Sequence, residues 1–128
     1  MQTDDVEDTE ELSASDRWLS PQPAPSRFSG AVVYPYLLAW LDCSVAQLGK
    51  RSAAVVRDLV ATRAQQGLDA YGVPLTAHNG RSAHKDLMQE LVDALFYAGQ
   101  IQIESPSAPN VDRCRRLASE IAWLAGSV

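Results

Sequence analysis

The chain has 128 residues, 46% hydrophobic and 21% charged, a balance that suits one soluble globular domain and argues against a disordered chain. Its formal charge is −5, but residues 1–16 carry seven acids and no base, which leaves nine acids against eleven bases in the remainder. A folded part so near neutrality excludes a strongly basic nucleic-acid binder, and no apolar run approaches the ~20 residues of a membrane span. The acidic start is the reverse of a signal peptide. Cys43 and Cys114 make no disulfide framework and read as reduced, buried thiols, which implies a cytoplasmic protein.

Residues 1–30 read as an arm: an acidic run, a short patch around Trp18, and then Pro21, Pro23 and Pro25, which favour extended backbone. The expectation is a solvent-exposed tail, with anchoring of Trp18 and Phe28 on a neighbouring subunit as the alternative. The rest, residues 31–128, reads as one all-α domain, a four-helix-type bundle of antiparallel helices, because no run alternates polar with apolar residues. A first helix is expected over 32–43, with Pro35 in its first turn. It is apolar nearly all round and should be buried. A second is expected from 44 or 52 to 70, ended by Gly72. Residues 72–80 form a loop through Pro74, Asn79 and Gly80. A third helix runs from the N-cap Ser82 to about 103, and a fourth over 111–125 carries Cys114, Leu117, Ile121 and Leu124 on one stripe.

The third helix is the informative one. At ~100° per residue, Asp86, Glu90, Asp93 and Tyr97 fall on one narrow stripe, and apolar residues fill most of the arc from ~80° to ~280°. So wide an apolar arc calls for packing on two sides, from the same chain or a partner, and predicts a symmetric oligomer. Carboxylates at i, i+4 repel one another, and a hard divalent cation such as Mg²⁺ or Mn²⁺ removes that conflict. Magnesium takes one or two carboxylates and completes its shell with waters and phosphate oxygens. The stripe therefore suits a metal–phosphate site; a solvated acidic face is the competing reading.

The run from Glu90 through Asp93 to Tyr97 resembles the second helix motif of the MazG-like, all-α nucleotide pyrophosphohydrolases, an E-x-x-D pair followed by an apolar run with an aromatic residue. Upstream, Arg63, Gly67, Tyr71, Gly72 and Leu75 are similar to a segment of the short phage and bacterial proteins of that kind, as is the stretch from His78 to Arg81. The resemblance spans 53–104. It implies helical hairpins assembled as homodimers or homotetramers, and Mg²⁺-dependent hydrolysis of a nucleoside triphosphate to the monophosphate and pyrophosphate. Glu90 and Asp93 match the E-x-x-D pair and would be metal ligands. Where the family has a first E-x-x-E motif, this chain has Gln66 and Asp69, so Asp86 is the candidate for the missing ligand.

Asp69 or Asp86 would serve as general base. Arg81 and Lys85, at the start of the helix, and Arg63 would meet the phosphates, where backbone N–H groups also favour anions. Asn79 is a turn residue first and a base-reading amide second. Tyr97, continuing the stripe, could bond a carboxylate or phosphate. His78 reads as a loop residue, and Trp40 and Trp123 as core or interface. The rival function is a non-catalytic helical interaction module whose acidic arm masks a basic partner. Nucleic-acid binding through Arg113, Arg115 and Arg116 is the weakest reading.

Overall fold

The computed structural model describes residues 13–25 and 30–126, with Val45 described by its backbone alone. The acids from Asp4 to Glu11, and Phe28, lie outside the described residues. The fold is all-helical, with six helices among the described residues: α1 (Ala14–Leu19), α2 (Val33–Cys43), α3 (Val45–Leu48), α4 (Lys50–Tyr71), α5 (Ala83–Glu104) and α6 (Ala108–Gly126). They divide into two compact units. One comprises the described residues up to Gln22 together with Ser82 onward; the other lies between them, from Pro23 to Arg81.

In the first unit, local chemistry sets the helix ends. Ser82 stays extended and its hydroxyl accepts from Lys85 N at 3.2 Å, which satisfies one of the four orphan donors of α5. Asp86 in the first turn complements the helix dipole. Leu, Met, Ala, Gln and Glu dominate the body, all strong helix formers. The helix stops at Ser105, ahead of Pro106, which disfavours helical backbone in the residue before it. Ser107 then accepts from Asn110 N at 3.2 Å and starts α6, with Pro109 in the first turn. Helix α6 returns along α5, so that Leu124 near its end meets Met88 near the start of α5. Replacing Ser82 by Ala should cost about 1 kcal/mol through loss of the cap, read as a lowered midpoint in urea.

The third member of that core is Trp18 of α1. It is 5% exposed and packs with Met88 and Leu124, and Leu91, Val92, Ile121 and Ala125 surround the cluster. Over this stretch the expected solvated tail is therefore replaced by a docked helix. The tryptophan anchors on its own chain rather than on a neighbour. Helix α1 has only six residues, too few to persist alone. Ser13 caps it by accepting from Asp16 N at 3.1 Å, and the Arg17 guanidinium lies 5.6 Å from the Trp18 ring centre.

In the second unit, α2 packs on α4 around Leu41 and Ala53. Arg57 of α4 donates to the Asp42 carboxylate and, at 3.5 Å, to the Leu38 carbonyl, tying the two helices together. Of the two starts expected for the second helix, 44 and 52, α4 begins near the later one, because Gly49 at φ 83° separates it from α3. Gly72 ends α4 as expected, in the left-handed conformation at φ 75°, with its N–H donating to Leu68 O at 2.8 Å. The loop that follows is pinned to the segment entering α2. Gly30 N donates to Ala77 O at 2.7 Å, Ala77 N to Ala31 O at 2.8 Å, and Val33 N to Leu75 O at 3.0 Å. The approach is tight, since a Cβ on Gly30 would stand 3.0 Å from Ala77 O and 3.2 Å from the His78 ring. Gly30→Ala asks Ala77 and the exposed His78 ring to move by a few tenths of an ångström and should lower the melting temperature only slightly.

Helix α2 is not buried all round. Leu41 is covered, but Tyr36 and Trp40 are 71% and 54% exposed. Cys43 is exposed and Cys114 half-buried, so neither is the fully buried thiol expected. Trp123 of α6 is also exposed. No described helix is long and apolar enough to cross a membrane.

Candidate functional site

Helix α5 is one uninterrupted rod from Ala83 to Glu104, so Asp86, Glu90, Asp93 and Tyr97 do share a face. Their surroundings differ. Asp86, in the first turn, is half-buried, whereas Glu90, Asp93 and Tyr97 are exposed. Met88 and Ala98 are buried, Leu91 and Val92 are half-buried, and Phe96 and Ile103 are open. One side of the wide apolar arc is thus packed within the unit and the other is bare.

The first two turns of α5 are engaged by the segment that follows α1. Gln22 makes three hydrogen bonds. Its Oε1 accepts from Ser82 N at 2.5 Å, and its Nε2 donates to Ser82 O at 3.1 Å and to Asp86 Oδ1 at 2.7 Å. Lys85 Nζ donates to the Ser20 hydroxyl at 3.3 Å. Gln89 Nε2 reaches the carbonyls of Trp18 and Ser20 at 3.4 and 3.5 Å. Ser20 and Gln22 were not among the sequence candidates. They lie some sixty residues before their partners, and no periodicity links an extended Pro-flanked segment to a distant helix.

The other sequence candidates belong to the second unit. Asp69 is exposed on α4 and accepts from Gln65 Nε2 at 2.8 Å. Arg63 donates to Gln66 Oε1 at 3.0 Å within the same helix. Arg81 Nη1 donates to Pro23 O at 2.7 Å. Asn79 is buried, and its Oδ1 accepts from Arg81 N at 3.0 Å, the side-chain-closed turn its neighbour Gly80 suggests. Its acceptor is thus committed to the loop's own backbone. His78 adopts φ 56°, an uncommon left-handed conformation outside glycine, and Gly80 adopts φ 85°. The three arginines at the start of α6 are partly occupied locally: Arg113 bonds Asn110 and Arg115 pairs with Asp112.

Glu90 and Asp93 supply the oxygen donors a hard cation prefers, in the number that magnesium commonly takes from protein. Among the described residues, however, no three His, Cys, Asp or Glu side chains are gathered into a metal-binding group. Two carboxylates about one helical turn apart are thus the whole of the exposed donor set on this face. No family model, no curated protein and no solved structure matches the chain.

Proposed function

We propose that the protein is a metal-dependent nucleoside triphosphate pyrophosphohydrolase, converting a ribo- or deoxyribonucleoside triphosphate and water to the monophosphate and pyrophosphate. The supporting observation is the unbroken α5 with Asp86, Glu90, Asp93 and Tyr97 on one stripe, entered directly from the Asn79-closed turn. In this reading Glu90 and Asp93 would hold Mg²⁺ or Mn²⁺. Such an ion would supply charge to offset the phosphates and would lower the pKa of a water. Asp86, the remaining carboxylate of the stripe, takes the proton from the attacking water. Lys85 meets the phosphates, and Tyr97 completes the substrate contacts.

The working form would be a homodimer or homotetramer with helices paired in four-helix-type bundles. The bare apolar residues of α5 and α2, among them Phe96, Ile103 and Trp40, support this assembly. Light scattering at micromolar concentration should give a mass of at least two chains; a single-chain mass would count against it. A screen of the eight common nucleoside triphosphates with Mg²⁺ or Mn²⁺ should show pyrophosphate release from at least one. The same exposed apolar residues support a second reading, a non-catalytic interaction module. That reading expects no metal-dependent nucleotide binding by calorimetry and no turnover.

A further inference from the structure

The segment from Trp18 to Gln22 is more than a structural staple, because its polar contacts fall on two of the residues assigned above to the chemistry. Gln22 occupies an Asp86 oxygen and both backbone polar groups of Ser82, and Ser20 receives the Lys85 ammonium. Glu90 and Asp93, one and two turns further on, lie exposed. We infer that residues 20–22 form an intramolecular latch over the start of α5, restraining Asp86 and Lys85 until the latch lifts. This rests on the proposed function for what the released groups then bind, a divalent cation bearing a nucleotide's phosphates.

The geometry allows such a movement without unfolding the unit. Trp18 is held by the core cluster, whereas Ser20 and Gln22 are held by half-buried polar contacts and lie outside any helix. Their side chains can exchange these bonds for water or ligand while Trp18 stays seated. The latch carries no formal charge at Ser20, Pro21 or Gln22, so an incoming phosphate meets a neutral competitor for Lys85.

Lys50 and Lys85 are the only two lysines in the chain, and Lys50 is exposed, which provides an internal reference. The test is competitive acylation of the full chain by an amine-reactive ester, with each lysine followed by peptide mass spectrometry. In the wild type Lys85 should react several-fold more slowly than Lys50. In the double variant Ser20→Ala, Gln22→Ala that gap should fall below about twofold. Equal rates in the wild type, or an unchanged ratio in the variant, would overturn the latch. The second arm is Mn²⁺-dependent pyrophosphate release, expected to rise several-fold in the double variant. A fall with an unchanged melting temperature would show that the segment positions Asp86 instead of restraining it, and would also overturn the latch. If the wild type releases no pyrophosphate from any nucleotide, the proposed function fails, and the acylation ratio alone decides whether the latch is closed.

Discussion

Trp18→Ala should lower stability by about 3–5 kcal/mol, the range for truncating a large buried aromatic. Trp18 is one of only three side chains in the buried cluster that joins α1, α5 and α6. Without its indole, Met88 and Leu124 line a cavity, and α1, six residues long, loses what keeps it helical. The loss is a large fraction of the 5–15 kcal/mol of a typical domain. The measurement is urea unfolding followed by far-ultraviolet circular dichroism. Trp18→Phe should recover part of the loss, because it refills much of the cavity. An unchanged midpoint for Trp18→Ala would mean that α1 is not docked in solution. The conclusion that residues 13–22 belong to the folded unit would then fall.

The second large effect concerns chemistry. Replacing both Glu90 and Asp93 by Ala should reduce metal-dependent pyrophosphate release by at least about 10²–10³-fold, the scale seen when one group stabilising transition-state charge is lost. Both side chains are exposed, so the same change should move the stability of the metal-free protein by less than about 0.5 kcal/mol. Relief of repulsion along the stripe should make that small movement favourable. Added Mg²⁺ should raise the melting temperature of the wild type but not of the variant, since an ion that binds only the native state stabilises it by mass action. Equal turnover by wild type and variant would remove Glu90 and Asp93 from the mechanism. Equal Mg²⁺ stabilisation would place the ion elsewhere.

The long elements were legible because their ends carry chemistry that acts within a few residues. Ser82 as a cap, Gly72 as a left-handed stop and Pro106 as a barrier need no tertiary partner to do their work. The Asn79–Gly80 turn was readable for the same reason. Helix α1 was not, because its stability comes from Met88 and Leu124, 70 and 106 residues away in sequence. Gly49, at φ 83°, decides between the two expected starts of the second helix, 44 and 52, which apolar spacing alone left open.

The stripe on α5 marks the difference between a face and its environment. Angular spacing placed Asp86, Glu90, Asp93 and Tyr97 together, but only the fold distinguishes the engaged Asp86 from its exposed neighbours. Likewise, the apolar character of α2 and α5 was plain from composition. Composition does not say which side is covered, and Trp40 and Phe96 turned out to be bare.

The first unit is built from both ends of the described chain, and this has a consequence for how the protein is made. More than a hundred residues of synthesis separate Trp18 from Leu124. At the usual pace of translation, that leaves the indole waiting about 5–20 s for its neighbours to leave the ribosome. Every residue that the intervening unit's own contacts need is made before Leu124, whereas the beginning of the chain still lacks its partners. A chaperone that shields exposed aromatic residues would find its substrate at that stage.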